Sequence, residues 1–233
     1  MLARDLVRRA AWVLSDEGHD RWSEEMLLAF ISDAQRQVAL LRPDATATRA
    51  VIDLAPGTVQ EVPANGLRLI EAVRTVSLDG QPGRAVRLVD RSALDACEPD
   101  WHAAQAADLP EGEPAAGGLL PDQYAHDERA PRLFHVYPPV PSAPSQVGAG
   151  VRMELVYSAS PAELDSLDSP LGVDPVYAGP LLDYALHRAF ALDTESETSR
   201  ARSDGHLRAF VQAMEAKLPA DLLVTPNLRS RQQ

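Results

Sequence analysis

Residues 22–43 read Trp22-Ser23-Glu24-Glu25-Met26-Leu27-Leu28-Ala29-Phe30-Ile31-Ser32-Asp33-Ala34-Gln35-Arg36-Gln37-Val38-Ala39-Leu40-Leu41-Arg42-Pro43. Ser23 stands where a helix begins, because its hydroxyl can accept a hydrogen bond from a first-turn N–H that has no partner inside the helix. Glu24 and Glu25 place negative charge at the positive end of the helix dipole. Leu27, Ile31, Ala34, Val38 and Leu41 then recur at steps of three and four, which puts them on one face. Pro43 closes the helix. A helix with a single apolar stripe needs another element to cover it.

Partners of the same kind lie at both ends of the chain. Leu2, Leu6, Ala10, Val13 and Leu14 share the helical period, and the polar run 16–20 separates them from Ser23. Near the other end, Asp174-Pro175 is a cap followed by proline at a first helical position. Ala178, Leu182, Ala185, Leu186 and Ala189 follow on one face. A last helix is predicted from Glu197 to Lys217, with Leu207, Phe210, Val211, Met214 and Leu218 along its apolar edge. Residues 1–47 and 172–218 are therefore expected to form one helical bundle, with 219–233 as an extended C-terminal tail.

Between them the period changes from helix to strand. Val51, Asp53 and Val59 to Val62 flank Ala55-Pro56-Gly57-Thr58, which reads as a β-hairpin whose turn uses a positive φ at Gly57. A second hairpin is predicted around Asp79-Gly80, between a strand over 67–78 and Ala85 to Val89. A short helix starts at Asp90 and ends before Pro99. Residues 103–131 are rich in Ala, Gly, Pro and acids and read as one long loop. Strands follow at 132–137 and 151–157, separated by a Pro-rich connection. The fold class is α+β: a helical bundle with an inserted antiparallel β-rich segment over 48–171.

Composition narrows the function. With 233 residues, 45% of them apolar, the chain can remove roughly 70% of its unfolded surface from water. The net charge of −12 argues against a surface that grips DNA phosphates, and Lys217 is the only lysine. Cys97 is the only cysteine, so no disulfide can form within the chain. The N-terminal residues lack the pattern of a signal peptide, and no run approaches the roughly 20 apolar residues of a membrane span.

A search for chemistry returns little. His19, His102, His126, His135, His187 and His206 form no HExxH pattern, and one cysteine cannot build a thiolate cluster. His187 lies beside an apolar helix face and reads as structural. The run His126-Asp127-Glu128 reads as a solvated acidic turn rather than a metal site. No GxSxG elbow and no phosphate-cradling glycine loop is present, and Gly117-Gly118 lacks the basic residue such a loop uses. The adjacent acids Glu24-Glu25 and Asp127-Glu128 do not form the opposed pair of a glycosidase. Trp12, Trp22 and Trp101 stand apart without basic interleaving, which suits core or interface anchors better than a base-stacking platform. The residues suggest neither catalysis nor a cofactor.

The order of the packing motifs resembles a known family. Arg21 to Gln37 is similar to the pattern W-x-x-x-E-L-L-x-W-L-N-x-A-Q-R-x-I of phage adaptor proteins, and Arg42-Pro43-Asp44-Ala45 follows as it does there. Residues 85–91, 132–139 and 176–184 (Val-Tyr-Ala-Gly-Pro-Leu-Leu-Asp-Tyr) fit in sequence, so that the likeness spans about residues 4 to 218. The resemblance implies a head-to-tail connector of short-tailed phages: a structural virion protein of the neck, without enzymatic residues, assembled in the host cytoplasm. Its copies would close into a ring, typically a dodecamer, bind the portal above and receive the tail nozzle below, while DNA passes through the lumen. Inward-facing acids would line that conduit without holding the DNA. The tail residues Leu222, Leu223, Val224, Leu228, Arg229 and Arg231 are the candidates for docking on the portal or a neighbouring subunit. A nozzle subunit or tail terminator is the nearest alternative; a glycan hydrolase or a host-encoded binding module lies further off.

Overall fold

The computed structural model describes residues 1–102, 120–140, 151–193 and 196–224, with side chains as far as residue 215. The chain divides into two compact units, one made of Met1–Thr46 and Pro161–Gln233, the other of Ala47–Ser160.

In the first unit, α1 (Ala3–Leu14), α2 (Glu24–Leu41), α4 (Ala178–Ala191) and α5 (Glu197–Val224) share one apolar core. The cap on α2 forms as its sequence dictates: Ser23 Oγ accepts from the Met26 N–H at 3.3 Å. Leu27, Ile31, Ala34 and Val38 are buried, whereas Leu41, at the end of the stripe, is half exposed. Asp174 accepts from the Val176 N–H at 2.8 Å, but the element it caps is a short 3-10 turn, Pro175–Tyr177, which leads into α4. α5 runs to Val224, so residues 219–224 are helical where an extended tail is expected. Pro219 removes one backbone donor, and Ala220, Leu222 and Leu223 are good helix formers that carry the backbone past it. Residues 225–233 lie outside the described part.

The second unit contains two four-stranded sheets. One has the order β1 (Ala47–Asp53), β8 (Arg152–Ala159), β3 (Gly66–Val76), β4 (Pro82–Ala85), all antiparallel. The other has the order β2 (Gly57–Glu61), β7 (Leu133–Val140), β6 (Gln123–His126), β5 (Arg87–Leu88), with β5 and β6 parallel. Alternate residues of β8 (Met153, Leu155, Tyr157) and of β7 (Phe134, Val136) fill a single core. The opposite face of β7 carries His135 and Tyr137. It is covered by α3 (Arg91–Cys97), which Asp90 caps through the Ser92 N–H, and by the buried Trp101.

Three expectations are corrected here. The segment 51–62 is not a hairpin, because β1 pairs with β8 and β2 with β7, in different sheets. Gly57 does take a positive φ, 95°, but it turns a corner between sheets. The buried Gln60 side chain satisfies that corner, accepting from the Ala55 N–H at 2.7 Å and donating to Ala55 O at 2.7 Å. A side chain thus supplies bonds that a partner strand would supply in a hairpin. Second, β6 arises inside the stretch expected to be loop, of which 103–119 lie outside the described residues. Third, the Asp79-Gly80 hairpin forms, with Gly80 at φ 78°, but its return strand ends at Ala85 and the chain leaves for the other sheet. The inserted segment is thus antiparallel except at β5 and β6.

Candidate assembly surface

The residues of the α2 motif hold the helical unit together. Trp22 is buried, with the Arg21 guanidinium 4.5 Å above its ring, and Arg21 reaches Asp193 at the end of α4 at 3.2 Å. Asp33 receives Arg36 at 3.0 Å and, from α4, Arg188 at 3.3 Å. The buried hydroxyl of Ser32 accepts from the Leu164 N–H at 3.0 Å, and the buried Gln35 accepts through Oε1 from the Gly172 N–H at 2.6 Å. These two side chains lock the chain that returns from the β unit onto α2. The motif is therefore a packing device.

The histidines are absorbed into structure in the same way. Ser203 Oγ lies 2.9 Å from His187 Nδ1 and donates to His187 O at 3.1 Å, while His206 Nδ1 lies 2.9 Å from Asp183, so both histidines join α4 to α5. His126 is bonded to Pro131 O at 3.3 Å. In the β unit, His102 stacks on Trp101 at 3.6 Å between ring centres and meets Thr58 Oγ1 at 2.9 Å. His135 stands edge-on to both rings, 5.6 and 5.4 Å away. Burial holds the His135 pKa below its usual 6.5, and Arg91 and His102 push the same way against Asp127 and Asp95. Across the other sheet Arg74 and Arg49 converge on the mostly buried Glu154; the Arg74 hydrogen bond is the main reason its pKa is lowered. Among the described residues, no three His, Cys, Asp or Glu side chains are arranged to hold a metal, and no helix is long and apolar enough to cross a membrane.

One exposed surface that packing does not explain lies on α1. Its buried residues Leu6, Ala10 and Leu14 face the core, and Trp12 falls opposite them, 56% exposed. Arg8, one turn earlier, places its guanidinium 5.5 Å from the Trp12 ring. Beside them runs an open groove of about 340 Å³. α1 supplies it with Arg4, Arg8 and Trp12, and the following loop and start of α2 supply Glu17, His19 and Glu24. Val7, Ala11 and Leu167 give it an apolar lining. The loop is fixed by Asp16, whose carboxylate accepts from the N–H groups of Trp22 (2.8 Å), Asp20 (2.9 Å) and Arg21 (3.1 Å); these bonds, led by Trp22, depress its pKa. A Trp–Arg pair beside an apolar groove is the composition of an interface anchor. The sequence offered a signal for it, since Trp12 lies off the stripe of α1.

Of the six tail residues, Leu222, Leu223 and Val224 fall on the last turn of α5, and Leu228, Arg229 and Arg231 lie outside the described residues. Gly117-Gly118 lies outside them as well.

The polar groups described above are spent on packing, and the α1 groove leaves an open surface beside them. The chain belongs to the SU10 adaptor protein family, whose model matches residues 1–231. No curated protein matches it. As a phage adaptor it is a component of the virion neck.

Proposed function

We propose that the chain is a ring-forming adaptor that joins the portal to the tail and leaves a lumen through which DNA passes. The observation that carries this reading is the family match along 1–231. The helical unit, a bundle in this reading, forms the wall of the ring, with the portal on one side and the tail nozzle on the other. A ring of identical copies, twelve in the family resemblance, needs two different surfaces per copy that meet head to tail. The acidic balance of −12 per chain suits a conduit whose lining repels DNA phosphates. Leu222, Leu223, Val224, Leu228, Arg229 and Arg231 dock on the portal or a neighbouring subunit, so attachment is conditional on a correct template.

The test is the mass of the purified chain by light scattering, alone and mixed with portal rings of the same phage. A chain that joins the portal as a closed ring supports the reading. A chain that never binds portal overturns it in favour of a nozzle subunit or tail terminator.

A further inference from the structure

Resting on the ring reading above, we infer that the α1 groove of one copy receives the outer face of α5 from the next copy, running antiparallel, with Val211 on Trp12. α5 buries Ser203, Phe210 and Met214 and leaves Asp204, Arg208, Val211 and Glu215 exposed. At spacings of four, three and four these exposed residues form one stripe, about 16 Å long at the helical rise. Val211 is its apolar centre, with Arg208 one turn before it and Glu215 one turn after.

The α1 groove carries the matching order. Trp12 is its exposed aromatic centre, Arg8 lies one turn before it, and Glu17 lies in the loop beyond. Antiparallel docking brings Glu215 to Arg8 and Arg208 to Glu17, while Val211 covers the indole. Parallel docking would oppose Arg8 with Arg208 and Glu17 with Glu215. Arg4 and Arg8 already touch Asp168 and Asp5, but such exposed pairs are weak and can be shared with a partner.

Within one copy the two faces do not compete for each other, because α1 packs on α2 and α4 whereas α5 packs on α4. Two unlike, complementary patches on the same unit make a heterologous contact, the kind that closes into a ring.

The experiment uses the full chain with Cys97→Ser, since Cys97 is exposed. Trp12→Cys and Val211→Cys are introduced together, rings are assembled on portal, and a short bis-maleimide is added. The expected result is a covalent ladder rising to the full ring, with single-cysteine chains giving no ladder. A closed ring seen by light scattering without a ladder overturns the contact and leaves the ring reading standing. Absence of any ring with the parent chain overturns the ring reading, and the contact falls with it. A second measurement uses charge: Arg8→Glu is expected to weaken ring assembly about tenfold, as loss of an interface arginine does, and Glu215→Arg in the same chain to restore it. Failure to restore overturns the antiparallel pairing.

Discussion

Replacing Ser32 with alanine tests whether the motif on α2 is a packing device. Ser32 is 1% exposed, and its hydroxyl accepts from the N–H of Leu164, itself buried, at 3.0 Å. Alanine removes the acceptor and leaves room for nothing else, so a buried donor is left unpaired at a cost of about 1–3 kcal/mol. At about 4 °C per kcal/mol for a unit of this size, a middle value of ~2 kcal/mol lowers the melting temperature by about 8 °C. Far-UV circular dichroism at the helix band reads the helical unit selectively, because α1, α2, α4 and α5 all lie in it. Ser32→Thr keeps the hydroxyl but adds a methyl group to a closed site, so it separates loss of the bond from change of volume. A Ser32→Ala chain that melts within 1 °C of the parent would refute the reasoning, because the Leu164 N–H would then have another partner. The paired change Gln35→Leu acts on the same returning segment through Gly172, and the two effects are expected to be non-additive.

Three further outcomes follow from other parts of the molecule. Phe134 is fully buried in the core shared by the two sheets, so Phe134→Ala is expected to cost about 3–5 kcal/mol, read as a lower urea midpoint at unchanged slope. The folded β unit holds His135 below its usual pKa of 6.5, so folding releases a proton; stability is fully present above 6.5 and falls as pH drops toward the folded value. Urea midpoints at pH 7.5 and 5.5 should therefore differ for the parent chain and converge in His135→Gln; an equal difference in both would show that His135 is not the group responsible. Deleting residues 219–233 is expected to abolish portal attachment while leaving the helical content of 1–218 intact, and retained attachment in a pull-down would sink the docking role of the tail.

The sequence by itself determined which segments are helical and both ends of α2, although α5 runs past its predicted end at Lys217 to Val224. Their instructions are local: the period of Leu27, Ile31, Ala34 and Val38, the Ser23 hydroxyl and the Pro43 ring all act within about one turn of the residues they order. The same locality made Asp90 legible as a cap, Gly57 legible as a positive-φ position and Asp79-Gly80 legible as a hairpin turn. Strand pairing was decided only by the tertiary structure. β1 finds its partner about a hundred residues away in β8, and nothing local distinguishes that pairing from a hairpin with β2. What separates them is the core, since Leu54 at the corner is buried with Phe134, Met153 and Leu155, which come from both sheets. β6 was invisible for the same reason: Gln123 to His126 has little strand character alone and becomes a strand between β5 and β7. The candidate surface falls between these cases. The sequence places Trp12 off the α1 stripe, but only the fold brings Glu17, His19 and Glu24 beside it, because the Asp16 carboxylate must first gather three backbone N–H groups to turn the chain back.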